Sequence, residues 1–561
     1  MINTFYNPSG ANDLRKYPVP RGGILDLSNA NLGSDNIRSQ FNLDRSFGNS
    51  HAVTAIAGTE LKEIRTDGFS RRSYGYDNTF GTGFSTINYD STFKTNPSTN
   101  QRIQSTSAGI TGTTNRFVSW FVNAAYSYKK RYTFSISGRQ DGANIFGVKA
   151  EQQITPLGSV GFSWNISDEK FYHTKELPYL RVRATYGFNG NVYNASAYLT
   201  GLYQSTGLNS NRFLTVLSPP NPELRWERVR NINLGLDLRL IRSILSGSID
   251  VYQKTGLDLI ESAPLAPSTG FTSFKGNAAS NQTNGIDLIL NSKNLDGKFK
   301  WTTSFLWNYQ KDKVLHFDTK YLSTTLANYN VGISTQAASG LYAVEGKSLF
   351  GMYSYKWAGL DKTNGDPQGY LNGAVSKDYL SIISSTPIDS LVYSGSSRPS
   401  MFGSLLNTFT WKNFSVSINI TYKLGYYFRK SSTGLNYQDA LSNPTINADY
   451  LLRWQNPGDE LKTQVPSLVY PNNTNRNVFY QNSAALVEKA DHIRLQNINL
   501  SYQLDKTQWH KLPFSSVQIY VFANNLGLLW KANKAGIDPD YTAAFSMPDP
   551  SSISIGCKIN L

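Results

Sequence analysis

Five histidines, His51, His173, His316, His492 and His510, are the side chains best suited to metal or proton chemistry, and none stands in a His-Glu-x-x-His or other metal-ligand spacing. The single cysteine, Cys557, excludes an intramolecular disulfide and a cysteine-based metal site. Asp361, Asn364 and Asp366 have the oxygen ligands of a calcium loop without the full EF-hand order, so an Asx-type turn is the better reading. Tyr353, Tyr355 and Trp357 could stack on sugar rings; the general burial of aromatics favours packing instead. The sequence contains no Gly-x-Ser-x-Gly elbow and no phosphate-binding Gly-Lys-Ser loop. No catalytic, cofactor or metal residue is therefore assigned, and the substrate-binding residues stay unassigned. The net charge of +15 could suit nucleic acid, but the 54 Lys and Arg form no run of five, which places them on solvated loops and turn ends.

What the elements must position is a pair of contrasting faces. In the last eleven residues Ile553, Ile555, Cys557, Ile559 and Leu561 share one parity, and Ser554, Gly556, Lys558 and Asn560 the other. Such a strand meets two different solvents, and its length suffices for the roughly 9 to 11 residues of a transmembrane β-strand. A soluble edge strand has the same pattern, so recurrence decides.

The pattern recurs. Trp120, Val122, Ala124, Tyr126 and Tyr128 share a face, Lys129 and Lys130 turn the chain, and Tyr132, Phe134 and Ile136 resume it. Ile232, Leu234, Leu236, Leu238 and Leu240 oppose Asn233, Gly235, Asp237 and Arg239, and after a turn near Arg242 and Ser243 come Leu245, Gly247, Ile249 and Val251. A basic residue on a lipid face near the midplane costs about 2 to 4 kcal/mol, so Asp237 and Arg239 are expected to face a wet lumen. Ile286, Leu288 and Leu290 lead through Asp296 and Gly297 to Phe299, Trp301, Phe305, Trp307 and Tyr309. Leu405, Phe409 and Trp411 pair through Lys412 and Asn413 with Phe414, Val416, Ile418, Ile420 and Tyr422. Near Gln496 and Asn497 the parity slips, which predicts a β-bulge.

Further hairpin strands are expected at 37–45 with 51–62, at 157–165 with 179–188, and at 517–523 before the closing strand. Residues 1–35 read mainly as loop, and 65–114, 315–400 and 425–490 as long outer excursions. Hydrophobic residues make up 39% of the chain and aromatics 13%, a balance that a membrane barrel tolerates and a helical membrane protein does not. The fold class expected is all-β: a transmembrane antiparallel up-and-down β-barrel, incomplete, with about 15 to 16 strands of a larger barrel and long extracellular loops. Bacterial single-chain barrels have even strand numbers, so the odd count points to strands before residue 37.

These residues also carry a family resemblance. Tyr126-Ser-Tyr-Lys-Lys-Arg-Tyr132, Arg139-Gln-Asp141-Gly142 with Phe146-Gly147, and Ser167-Asp-Glu-Lys-Phe171 come first. Arg183-Ala-Thr-Tyr-Gly187 with Asn189-Gly-Asn191, and Asn221-Pro-Glu-Leu-Arg-Trp-Glu227, follow. Gly346 through Gly359-Leu-Asp361, Arg453-Trp454 with Pro457-Gly-Asp459, Arg494-Leu-Gln-Asn-Ile498, and Asn524-Asn-Leu526 with Asp538-Pro539 complete the order. Each is short; in this order they resemble the C-terminal part of a SusC/RagA-type TonB-linked outer-membrane transporter over essentially all 561 residues.

The resemblance implies a larger barrel of 22 strands in the cell outer membrane, an N-terminal plug, a TonB-binding segment and a SusD-like lipoprotein lid, working in uptake of oligosaccharides or peptides. The chain departs from it in lacking the plug, the TonB-binding segment and the early strands, and in ending on Leu561 where an aromatic is usual. Residues 1–561 are thus expected to be one barrel domain without a plug, either a mature piece or one missing its beginning, since no export leader follows Met1. Expected partners are the lipoprotein, the TonB complex through the missing N-terminal part, the lipid bilayer and a glycan or peptide, with no nucleic acid. A self-contained passive porin is the alternative. A membrane-embedded hydrolase is a third class, disfavoured by the missing catalytic constellation.

Overall fold

The computed structural model describes residues 3–560 apart from 8–15, 85–86, 96–98, 105–109, 146–153, 193–196, 206–211, 320–322, 329–342, 433–446, 508, 511 and 543–545. Fifteen strands follow one another in a single antiparallel sheet, each paired with its sequence neighbours along the path. They are β1 Gly23–Phe47, β2 His51–Asp77, β3 Ile110–Tyr128, β4 Tyr132–Ala143, β5 Ile154–Asn165, β6 Tyr179–Asn191, β7 Glu227–Arg239 and β8 Leu245–Pro264. The rest are β9 Ser273–Asp296, β10 Phe299–Phe317, β11 Met401–Trp411, β12 Phe414–Leu424, β13 His492–Asp505, β14 Ser516–Lys531 and β15 Ser552–Asn560. A short strand, Thr82–Phe84, adds to β2 and makes sixteen.

Cross-strand register turns the alternation of single strands into continuous rows. Directly opposed residues share a face. Cys557 lies opposite Ile519, Ile519 opposite Tyr502, Tyr502 opposite Phe414, Phe414 opposite Trp411 and Trp411 opposite Phe299. Six strands thereby present one apolar, largely aromatic row near their turn ends, as a membrane-interface girdle does. Val122, Phe134 and Leu234 are 52%, 51% and 56% exposed, which would be costly in water and is satisfied in hydrocarbon. Leu561 lies outside the described residues.

The tight turns are where the sequence puts them. Lys129 and Lys130 both have positive φ (52° and 58°), as do Arg242 and Ser243 (54° each), the hand that matches the twist of paired strands. At the expected slip, the partner of β12 steps from Asn497 to Leu495, skipping Gln496, and β14 shifts at the same place.

Three expectations are corrected. β1 begins at Gly23, so 23–35 is strand and not loop. Of the expected excursion 65–114, residues 65–77 belong to β2 and 110–114 to β3. The physical reason is common to both. β2 is 27 residues long, roughly 90 Å at 3.3 Å per residue, so its outer half stands clear of the bilayer, where most of its residues stay accessible to water and only the tip at Tyr74 packs against Phe5, Val19 and Ile103. There pairing is held by backbone ladders, and no apolar alternation is needed.

The expected irregular excursion after residue 315 is also ordered. Leu326, Ala327, Tyr353, Tyr355, Tyr379, Ile382, Leu391 and Phe479 form one buried cluster. Segment 343–400 and the described residues of 426–491, on either side of the β11–β12 hairpin, thus share a core and form one outer lobe. Helix α1 Ser323–Asn328, α2 Tyr379–Ser385 and α3 Thr474–Gln481 all contribute to it.

Candidate functional site

The candidate site has two parts: the polar inner wall of the sheet and the outer lobe above it. On the wall, Arg183 reaches across two strands. Its Nε donates to Asp237 (2.9 Å) and its Nη2 to Asp250 (3.2 Å), while Arg181 Nη2 lies 2.7 Å from Asp237. Gly235 permits this crossing, since a Cβ there would stand 2.7 Å from Arg183 Nη2. Arg239 lies over the Tyr179 ring, 5.3 Å from its centroid. The expectation that Asp237 and Arg239 share a lumen-facing parity is met by the register, which places both opposite the polar face of β6. Such a wall offers fixed charges and hydrogen-bonding groups to a hydrated solute. Near its outer end Arg139 bonds Asp141 (2.6 Å) and Ser119 Oγ (2.9 Å), so that motif is itself an internal brace.

Two buried arginines assemble the lobe. Arg429, 3% exposed, donates from Nη1 to the Ala327 carbonyl and Asn482 Oδ1 (2.7 Å each), and from Nη2 to the Tyr353 carbonyl and Ser354 Oγ. Burial draws its guanidinium down to about 10, still charged at neutral pH. Arg476, 2% exposed, bonds Asp366 (2.8 Å) and Ser467 Oγ (3.1 Å). Five planar donors on one rigid fork can tie segments that share no secondary structure.

The residues singled out by sequence divide cleanly. Tyr353 and Tyr355 are 4% and 1% exposed and pack the lobe. Trp357 stacks on Phe479 (6.4 Å, 18°) and also lines, with Tyr370, Leu371, Pro387 and Val392, a cleft of about 800 Å³. The turn reading of Asp361 holds: its Oδ1 accepts from the Thr363 amide (2.8 Å), and Asn364 Oδ1 from that of Asp366 (3.1 Å). Lys377 Nζ stands 2.7 Å from Asp361 and 3.5 Å from Asp366, so an ammonium already neutralises the two carboxylates. The Lys377 contact and the Thr363 bonds hold the Asp361 carboxyl well below the usual carboxylate range.

The histidines are dispersed. His51 meets Tyr126 (2.7 Å) at a turn end, His316 meets Asp318 and Glu345, and His173 and His510 are exposed. Among the described residues no three His, Cys, Asp or Glu are placed to hold a metal ion.

His492 belongs to a cluster that sequence spacing does not reveal. It is 1% exposed, with Nε2 3.3 Å from Asp540; Lys423 Nζ lies 2.6 Å from the same carboxylate. Arg494 Nη2 makes 2.6 Å contacts to both oxygens of Asp538 and reaches Asp540 at 3.3 Å. These contacts latch the chain at Asp538 and Asp540 onto β12 and β13. Burial alone would raise the Asp540 carboxyl; the hydrogen bonds from His492 and Lys423 outweigh it and hold it well below the carboxylate range. Two motifs read separately in the sequence, at Arg494 and at Asp538, are thus two halves of one contact. The motif at 221–227 is likewise a knot: Glu227 accepts from the Ile260 amide (2.8 Å) and Asn191 Nδ2 (2.7 Å), and Arg225 and Arg228 both meet Asp258. The Phe146-Gly147 pair lies outside the described residues.

Comparison with known proteins fits this architecture. The family described as TonB dependent receptor-like, beta-barrel matches residues 3–526. TonB-dependent receptor P26 of Formosa agariphila is 24% identical over 577 residues, covering 96% of this chain and 54% of the relative. TonB-dependent receptor SusC of Bacteroides thetaiotaomicron is 24% identical over 456 residues, covering 76% and 42%. The chain spans about half the length of these relatives. The solved structure of the RagAB peptide transporter superposes with a TM-score of 0.74 at 19% identity, over 96% of this chain and 56% of that one, a likeness of fold. An open sheet with lipid-facing apolar rows, a charged inner wall and an ordered outer lobe, matched by the family over nearly its whole length, shows that this chain belongs to the TonB-dependent receptor β-barrel family of the outer membrane.

Proposed function

We propose that residues 1–561 form the barrel unit of a TonB-energised importer of oligosaccharides or peptides, with a SusD-like surface lipoprotein seated on the outer lobe. On this reading the plug and the TonB-binding segment belong to the protein outside these residues. On the same reading the charged inner wall lines a path for solute. Family membership and the RagA-like fold support the import reading.

The observation that carries the partnership is the lobe's surface. Its interior is packed, yet Leu451, Leu452, Leu461 and Tyr470 are 77%, 61%, 85% and 87% exposed within one short stretch. Covering a leucine is worth about 1.5 to 3 kcal/mol, so several together would hold a partner.

The test uses the complete protein with Leu451→Ser, Leu452→Ser and Leu461→Ser. The barrel should assemble as before, while lipoprotein co-purification falls at least about ten-fold, the equivalent of losing a single buried leucine. Undiminished co-purification would move the partner elsewhere. Uptake that persists without TonB would replace the importer with a passive diffusion pore.

A further inference from the structure

The outward face of β7 to β10 changes character within one step along the strands. Leu236, Ile249, Leu288 and Trp307 lie opposite one another in one row, and Leu234, Val251, Ile286 and Tyr309 in the next row outward. Trp307 and Tyr309 stack on each other at 6.3 Å and 11°. The next two rows on the same face read Ile232, Gln253, Asn284, Lys311 and then Arg230, Thr255, Gln282, Lys313. Apolar and aromatic rows therefore give way at once to amides and cations.

Strand geometry fixes the depth of that boundary. Lys311 is two residues beyond Tyr309, about 7 Å along the strand and less along the bilayer normal because barrel strands tilt. With Tyr309 in the aromatic girdle, both ammonium groups sit at the level of the outer-leaflet headgroups. Long basic side chains extend readily along such a boundary.

Charge selects the occupant. The two polar rows hold three cations and no carboxylate. Asp250, Asp287 and Asp312 have the opposite parity, and Asp312 is engaged by Ser348 Oγ and the Leu349 amide (2.8 Å each). Asp258, farther out, is paired with Arg225 and Arg228. Lys311 and Lys313 are exposed and make no ion pair among the described residues. Arg230 donates only to Thr255 Oγ1 (3.3 Å), and its buried Nε has no hydrogen-bond partner among the described residues. Gln253 Nε2 bonds Asn284 Oδ1 (3.0 Å), holding the neighbouring amides in the same layer.

We infer that this outward face is a binding site for the phosphate-bearing headgroup of an outer-leaflet lipid, held by Arg230, Lys311 and Lys313. The acyl chains would lie on the apolar rows of Leu234, Val251 and Ile286 below. The inference does not depend on what the barrel imports.

The test reconstitutes the complete protein in phosphatidylcholine vesicles containing lipid A, with or without its phosphates, and counts lipid retained per barrel after extraction by mass spectrometry. Lys311→Gln with Lys313→Gln should weaken retention of phosphorylated lipid A roughly 30-fold, from about 1 kcal/mol for each surface cation, and leave the dephosphorylated form unchanged. Lys300→Gln, on the lumen parity of β10, should change neither. Equal retention of the two lipids by the unmodified protein, or no loss in the double variant, would overturn the inference. Displacement by millimolar inorganic phosphate would assign the row to a soluble anion and overturn the lipid. Because both lysines are exposed, the variants should keep the heat-modifiable mobility of the assembled barrel, which checks folding separately.

Discussion

Asp540 illustrates how a single side chain holds a loop in this protein. Its carboxylate faces Lys423, His492 and Arg494, two of which are buried, so the segment before the last strand is fixed by charge rather than by apolar area. Because the folded carboxyl lies below its unfolded value of about 3.9, its contribution is fully present above that pH and is lost as pH falls through the folded value. The part of the latch that comes from the Asp540 carboxyl should therefore not change between about pH 5 and 8. Asp540→Asn removes the charge at every pH and should cost about 2 kcal/mol, typical of a charged hydrogen bond. Limited proteolysis would show the segment 532–551 cut faster in the variant at neutral pH and in the natural protein only well below pH 4. Equal cutting of the two at neutral pH would show that the latch is held by other contacts. None of this was legible in the spacing, because Lys423, His492 and Asp540 are far apart in the chain. His492, Arg494 and Asp538 stood out in the sequence for separate reasons, and their meeting is a tertiary fact.

At the scale of the element, the closing strand was readable almost in full. Alternation fixed its two faces, and the register with β14 places Cys557 opposite Ile519 and Lys558 opposite Gln518, one apolar pair and one polar pair. In the assembled full-length barrel Cys557 should resist a membrane-impermeant maleimide, whereas a cysteine replacing Lys558 should be labelled from the lumen. The reverse pattern would mean a one-residue slip of register, which exchanges the two faces completely. Alternation failed as a guide in β1 and β2. Their outer halves carry ladders such as Asn29 opposite Phe69 and Asn31 opposite Asp67, where both faces are wet and either parity is tolerated. A composition of Gly, Ser, Asn and Arg there looks like loop, although its backbone groups are paired.

At the scale of the whole molecule, the sheet path begins at β1 and ends at β15, and no pairing joins the two among the described residues. Each edge strand exposes a row of unpaired backbone groups. In hydrocarbon each such group costs several kcal/mol, far more than a marginally stable fold can absorb. Residues 1–561 produced alone behind an export signal should therefore give no heat-modifiable, protease-resistant monomer in outer membranes. Recovery of such a monomer would favour a self-contained pore and require β1 to pair with β15.

Read locally, the chain already reveals the two faces of strands such as β7, β10, β12 and β15, the tight turns at Lys129, Arg242 and Lys412, and the bulge at Gln496. Each of these depends on neighbours within a few residues, so a period of two and a local turn preference are enough to specify it. Long-range packing alone brings the two excursions on either side of the β11–β12 hairpin into one core around Arg429 and Phe479. It alone joined Asp538 and Asp540 to Arg494, and aligned Arg230 with Lys313 across four strands. Those arrangements follow from register and long-range packing, which no local period encodes.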